Sequence, residues 1–209
     1  MKKAEKQAAL TELAKLYPDA KPALIFSTPY ELLVAVVLSA QCTDERVNKV
    51  TAVLFEKYAT PQAMLTLSQK ELEKYIFSCG FYRMKAEHIL SASKDIIEKF
   101  DGEVPTTVEE LMSLAGVGKK TANVVYSVAF GGAAIAVDTH VFRVSNRLGL
   151  AKGKTPEEVE KGLNKAIPKE DWAKAHHWLI YHGRKVCHSQ RPNCADCSLQ
   201  GYCDFFKKK

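Results

Sequence analysis

Four cysteines near the end of the chain give its most specific chemical signal. They read Cys187-x6-Cys194-x2-Cys197-x5-Cys203, all inside the last 23 residues. Four thiolates in so short a segment suit a metal ion or an iron–sulfur cluster. Structural zinc is usually held by paired knuckles set farther apart, so one C-x2-C with an outlier on each side favours a cluster over zinc. Disulfides come third, since Met1–Leu10 carries Lys2, Lys3, Glu5 and Lys6 with no apolar core and does not read as a secretory leader. The loop from His188 to Asn193 holds Arg191, and Arg184 and Lys185 precede it. A bound cluster would brace this basic loop against a phosphate backbone; alternatively, the positive charge only offsets an anionic thiolate site.

The second chemical stretch is Leu114-Ala115-Gly116-Val117-Gly118-Lys119-Lys120-Thr121-Ala122. An apolar helix ends here, Gly116 and Gly118 make a tight turn, and a new helix opens at once. Glycine fits where φ is positive or where another molecule nears the backbone. The unpaired N–H groups and positive dipole end of the new helix favour an anion such as phosphate. The plain alternative is an αα-hairpin with a glycine cap and solvated lysines. A lysine amine attacks an electrophilic carbon only when neutral. A helix start, the neighbouring Lys119 and partial burial would all disfavour the ammonium form. Lys120 is therefore a candidate nucleophile for a sugar C1′ aldehyde through a Schiff base, with Lys119 facing a phosphate.

Asp138, in Val137-Asp138-Thr139-His140, can cap the following helix. It can also serve as a carboxylate that deprotonates a nucleophile or steadies a cationic sugar. His140 reads as a phosphate or base contact, or as an ordinary helix residue. Gln41 ends the apolar run Leu38-Ser39-Ala40-Gln41, where it either inserts into a base stack or simply terminates the helix. Cys42 and Cys79 lie alone in apolar contexts and read as small buried residues. Trp172 and Trp178 read as packing residues. His176 and His177 could mimic metal ligands, but the four cysteines already fill a site.

The elements that must carry these residues are helices almost throughout. Glu5–Tyr17 is amphipathic, with Ala9, Leu13 and Leu16 on one side and Pro18 stopping it. Thr28/Glu31, Ser68/Glu71, Thr107/Glu110 and Thr155/Glu158 have the spacing of capping boxes. They open helices that begin near residues 29, 69, 108 and 156. The first, through Ala40, is apolar nearly all round and should be central. Further helices are expected over 44–58, 82–100, 119–130, 139–148 and 170–186. Ala133–Val137 is a short apolar connector, and Lys207–Lys209 is solvated charge. No period-two strand run, repeat or low-complexity segment appears. The chain therefore reads as all-α, with about ten short helices. Its 209 residues and 46% hydrophobic content allow one large or two small domains. The formal charge of +6 suits a polyanionic partner. The longest uncharged stretch, Thr121–Val137, is short for a membrane span and is broken by Gly131-Gly132. A soluble, cytoplasmic protein with no membrane partner is expected.

Together these pieces resemble the endonuclease III family of DNA base-excision glycosylases. Leu114–Val125 resembles its helix–hairpin–helix, Ile135–Val144 its catalytic-aspartate segment, and the four cysteines match its cluster loop at every interval. The likeness in order and spacing runs from near the N-terminus to Cys203. It implies a helix-hairpin-helix DNA glycosylase fold with a cleft between two all-α domains. A six-helix barrel domain over residues 22–132 would hold the hairpin. Residues 1–21 and 133–209 would fold around a [4Fe–4S] cluster on Cys187, Cys194, Cys197 and Cys203. Double-stranded DNA with damaged pyrimidines or abasic sites would be the partner of a monomeric, bacterial-type enzyme acting at the nucleoid. The damaged base would be flipped out of the stack. Lys120 would be the nucleophile and Asp138 its carboxylate partner. Gln41, Gly116, Gly118, Lys119, His140 and Arg191 would contact DNA, with Gln41 filling the gap left by the flipped base. Lys120 would expel an oxidised pyrimidine and cleave the abasic site by β-elimination.

Two positions depart from the family pattern. Ala115 stands where the hairpin commonly has proline, and Phe81 where a leucine wedge is usual. Among competing readings, an adenine mismatch glycosylase normally lacks a lysine at the Lys120 position and carries a further C-terminal domain, whereas this chain runs six residues past Cys203. A non-catalytic helix–hairpin–helix DNA-binding module would need neither Lys120 nor Asp138. An iron–sulfur electron carrier would not need the basic charge or the glycine hairpin.

Overall fold

The computed structural model describes residues 1–208; Lys209, the last of the lysines read as solvated charge, lies outside them. Among the described residues there are eleven α-helices, three short 3-10 turns and no strand. The chain divides into two compact units. One joins residues 1–21 to 133–209, and the other is residues 22–132.

The unit of residues 22–132 holds seven helical segments. They are α2 (Pro29–Ser39), α3 (Asp44–Leu54), α4 (Pro61–Met64), α5 (Gln69–Ile76), α6 (Tyr82–Lys99), α7 (Val108–Met112) and α8 (Lys119–Ala129). The segment unread in the sequence is α4. It is one turn opened by Thr60 and Pro61, too short to show helical periodicity. Helix α2 is the central element, as its apolar circumference required: every residue from Tyr30 to Leu38 is buried. The Tyr30 hydroxyl meets Ser93 Oγ of α6 at 2.6 Å, so its polar tip is satisfied in the core. The core continues through Leu54, Met64, Leu72, Ile76, Ile96, Leu111 and Val125, all with no exposed surface.

Threonine and serine open most of these helices. Thr28, Thr43, Thr60, Ser68 and Thr107 each accept the backbone N–H three residues on. The reciprocal half of the capping box is more varied than the sequence suggests. Glu71 closes on the Ser68 N–H, but Glu31 reaches one residue further, to the Ser27 N–H. Glu110 instead accepts the Thr107 hydroxyl at 2.8 Å.

Helix α2 stops one residue before the expected end, and a buried cation accounts for its last carbonyls. Lys85 of α6 is only 3% exposed. Its Nζ donates to Leu38 O and Ala40 O, each at 2.7 Å. Burial pulls its pKa below the usual lysine value, with Cys79 and Cys42 opposing. A cation on the C-terminal carbonyls of a helix is favourably placed. Beyond it the backbone turns left-handed at Gln41, φ 52°.

The other unit contains α1 (Lys3–Leu16), α9 (Thr139–Leu148), α10 (Pro156–Ala166) and α11 (Trp172–Lys185). On α1, Ala9 and Leu13 are buried as expected, but Leu16 is 40% exposed and Leu10 is buried instead. Helix α10 is capped by Thr155, with Glu158 accepting from the Lys154 N–H at 2.7 Å. The connector into α9 is buried from Ala134 to Val137. His176 of α11 donates through Nδ1 to the Ala136 carbonyl at 2.8 Å, which fixes the strap that delivers Asp138. Trp178 is buried in this core, and the Trp172 Nε1–H donates to Ile167 O at 3.0 Å, so both tryptophans are packing residues here. No helix among the described residues is long and apolar enough to cross a membrane.

Lys85→Met keeps the stem and removes the donors, leaving two carbonyls short of a partner. It should lower stability by about 1–3 kcal/mol, measured as the midpoint of denaturant unfolding. An unchanged midpoint would show that the ammonium does not secure the end of α2.

Candidate functional site

The glycine hairpin links α7 to α8. Leu114 and Val117 are its buried anchors. Gly116 has φ +73°, and a Cβ there would lie 2.6 Å from Nδ1 of His88, so conformation and space both demand glycine. Gly118 differs. It is the N-cap of α8 with φ −81°, and a Cβ there would meet nothing within 4 Å. Neither strain nor crowding explains it. Its effect is a helix start that no side chain caps. Lys119 and Lys120 are the first two residues of α8, and both are exposed. Burial, one of the three reasons for a neutral Lys120 amine, is therefore not supplied by the free chain. Ala115, in place of a proline, is half-buried in this turn.

Asp138 is the N-cap of α9, and its Oδ1 accepts the Val141 N–H at 2.7 Å. It is half-buried, with its second oxygen still available for chemistry. The capping role is thus real and does not exclude the catalytic one. His140, the second residue of α9, lies 3.0 Å from Arg143 through Nδ1. Burial lowers its pKa, Arg143 and Arg184 add to that, and Asp138 opposes. Arg143 donates onward to Gly183 O and Cys187 O, both at 3.0 Å. Lys120 belongs to the unit of residues 22–132 and Asp138 to the other.

Cys187, Cys194, Cys197 and Cys203 line one cavity together with Leu148, His182, Val186 and Phe205. Burial pushes the Cys197 and Cys203 thiols up, and the neighbouring cysteines add to the shift. Among the described residues no three His, Cys, Asp or Glu side chains converge as ligands of a single ion. Four thiols ringing an apolar cavity fit a polynuclear cluster standing between them better than one zinc with sulfurs at about 2.3 Å. Two further groups reach the cysteines. Arg147 Nη1 lies 3.5 Å from Cys187 Sγ, and His182 Nε2 lies 3.6 Å from Cys197 Sγ. The His182 Nδ1 meets the Tyr17 hydroxyl at 3.0 Å, and burial brings His182 down to about 4 and Tyr17 up to about 12, so both are neutral.

The sequence reading missed Arg147. It donates to His188 O at 2.6 Å and Ser189 O at 2.9 Å, bracing the basic loop from within the protein. Arg191, exposed with φ 46°, sits just beyond these two carbonyls. An arginine on an amphipathic helix carries no local sign of that role.

Gln41 and Phe81 form a pair that spacing alone does not reveal. Both are exposed and both are left-handed, at φ 52° and 57°. Left-handed backbone is uncommon outside glycine and is often held by its surroundings at functional sites. A Cβ on Gly80 would lie 3.4 Å from Gln41 O, so the turns carrying them are packed together. Lys85 secures the first of these turns, through Ala40 O.

Comparison with known proteins agrees with this layout. Residues 34–169 match the family model described as HhH-GPD superfamily base excision DNA repair protein. The endonuclease III of Bacillus subtilis (strain 168) is 53% identical over 195 residues, covering 93% of this chain and 89% of that protein. The endonuclease III of Escherichia coli (strain K12) is 46% identical over 208 residues, covering 100% of this chain and 99% of that one. A solved structure of a trapped endonuclease III–DNA covalent intermediate, an estranged-adenine complex, superposes with a TM-score of 0.95 at 52% identity. It covers 100% of this chain and 98% of that one. A thermostable thymine-DNA glycosylase, at 22% identity and a TM-score of 0.88, shares the fold. The chain belongs to the HhH-GPD superfamily of base-excision DNA repair proteins and, within it, to the endonuclease III family.

Proposed function

We propose that this protein excises oxidised pyrimidines from double-stranded DNA with Lys120 as nucleophile and Asp138 as its carboxylate partner. The enzyme class follows from the family: a DNA glycosylase with lyase activity at abasic sites. The observation that carries the residue assignment is the start of α8. An exposed amine sits in the first turn of a helix whose cap, Gly118, has no side chain. Backbone donors are thus presented to a phosphate beside the amine. Gly116 and Lys119 belong to the same phosphate-facing surface in this reading, and Gln41, His140 and Arg191 are further DNA contacts.

The chemistry needs few groups. Nζ of the neutral amine bonds to C1′ as the bond from C1′ to the base breaks, and the base leaves with that electron pair. A proton leaves Nζ, and opening of the sugar ring gives a Schiff base. Loss of a proton from C2′ then breaks the C3′–O bond and releases the phosphate. Asp138 steadies the cationic sugar and accepts a proton, using the oxygen its cap leaves over. Cys187, Cys194, Cys197 and Cys203 are the residues that would hold a [4Fe–4S] cluster, whose contribution when bound is to fix the loop bearing Arg191. The four thiols around one cavity support that assignment.

Borohydride should trap the protein covalently on DNA bearing an oxidised pyrimidine, and Lys120→Gln should retain binding while losing both trapping and cleavage. Unchanged cleavage by that variant would remove Lys120 from the mechanism, and DNA binding with no adduct would favour a binding module. Asn caps helices as well as Asp does, so Asp138→Asn should stay within about 0.5 kcal/mol of the parent in stability. The same variant should lose about 100-fold or more in base excision; full activity would leave Asp138 a cap only. Purified protein should be yellow-brown, with about four irons and four sulfides per chain by elemental analysis. A colourless protein with one zinc would overturn the cluster.

A further inference from the structure

Cys42 and Cys79 lie 37 positions apart and have no part in the chemistry above. In the fold they meet. Cys79 belongs to the core of the unit of residues 22–132, and Cys42 packs against that core. Cys79 has no exposed surface, whereas Cys42 is half-buried. The pair sits where two turns join. Cys42 follows Gln41 directly, and Cys79 precedes Phe81 by two residues. The Gly80 backbone packs on the Gln41 carbonyl between them. Burial and Cys42 push the Cys79 thiol up, with Lys85 and Arg46 opposing.

We propose that Cys42 and Cys79 are a redox modification site, a dithiol that closes to a reversible disulfide under a peroxide-class oxidant. Thiol pairs that oxidise in reducing compartments are characteristically transient and redox-sensing rather than structural. The two sulfurs differ in access, which orders the steps. The Cys42 thiolate attacks a peroxide oxygen, the O–O bond breaks, and Cys42 becomes a sulfenic acid as water leaves. Cys79 then attacks that sulfur and the S–OH bond breaks. With the thiol proton the hydroxide departs as a second water. In sum, two thiols and one hydrogen peroxide give one disulfide and two waters. Burial raises the Cys79 pKa to about 11, which makes it the resolving rather than the first-reacting thiol. Closing the pair needs the sulfurs to approach to about 2.05 Å, across two turns that already pack on each other at Gly80 and Gln41.

The consequence is mechanical. The disulfide would staple the turn after α2 to the turn before α6, beneath the two exposed left-handed residues. That this matters for base excision rests on the assignment of Gln41 as the residue that fills the gap in DNA. The staple itself does not.

The test uses the full-length protein with its iron content monitored. Hydrogen peroxide is added in steps that leave iron content unchanged, and the protein is digested under non-reducing conditions. The expected product is a linked peptide pair containing Cys42 and Cys79, lighter by two hydrogens and restored by dithiothreitol. Hydrogen exchange should slow in residues 40–43 and 79–82 of the oxidised protein. Cys79→Ser should stop at a sulfenic acid on Cys42 that a dimedone-type reagent labels. Cys42→Ser should leave Cys79 reduced at the same dose. Oxidation of Cys42 to a sulfinic acid in the parent protein, with no linked peptide, would overturn the proposal. So would oxidation of the cysteines at 187–203 while both core thiols persist. A protein that forms the linked pair but fails borohydride trapping would sustain this site and remove the assignment of Lys120.

Discussion

The structure depends on what is done with the unpaired N–H groups at the start of each helix. Four such donors are left at every α-helix N-terminus, and they must find acceptors. Most helices here settle the matter locally. A threonine or serine accepts one donor, and at α2, α5 and α10 a glutamate three residues on reaches back to the preceding chain. The other five starts lack a threonine or serine cap, and two of these carry residues of the candidate site. At α9 the acceptor is a carboxylate, Asp138, which has one oxygen more than the cap consumes. At α8 the cap is a glycine, which has no side chain to accept with. One start therefore presents an acceptor and the other presents donors. On the proposed reading the donors hold the phosphate of a nucleotide and the acceptor steadies its sugar as the carbon becomes cationic.

A cation plays the matching role at the other end of a helix. The end of α2 is fixed by Lys85, whose Nζ reaches Leu38 O and Ala40 O from a nearly fully buried position. A charge is costly to bury unless its hydrogen bonds are made, and here two carbonyl acceptors short of helical partners make them. The result is a defined exit from the most buried helix. The exit sends Gln41 outward in a left-handed conformation beside Phe81. Phe81 itself is 60% exposed on that left-handed turn.

What was legible in the sequence follows from how local each signal is. The caps at Thr28, Ser68, Thr107 and Thr155 and the glycine hairpin depend on neighbours within four residues, and all are found where expected, whereas the one-turn helix capped by Thr60 was not read. The all-α fold and the central place of α2 follow from the same local patterns. The groupings that long-range packing makes were not legible. Lys85 reads as a surface lysine, since nothing nearby in sequence says that two carbonyls will meet it 45 and 47 residues away. Arg147 reads as a charge on the polar side of α9, yet it braces carbonyls 41 and 42 residues on. Cys42 and Cys79 read as isolated apolar residues because only the joining of two turns brings them together. Leu16 was misplaced for a simpler reason: on α1 the apolar stripe passes through Leu10 rather than through the last turn.

The exposure of Lys120 adds a constraint on how the site must operate. An amine open to water keeps its hydration, and hydration favours the ammonium form that cannot attack carbon. The helix start and the adjacent Lys119 are built into the chain, but the exclusion of water is not. On the proposed reading DNA supplies it, by covering the hairpin when its phosphate docks on the bare start of α8. Nucleophile preparation is then coupled to substrate docking. On the proposed reading the same coupling gives Gly118 its reason. A serine or threonine there would cap α8 internally and occupy donors that the phosphate needs.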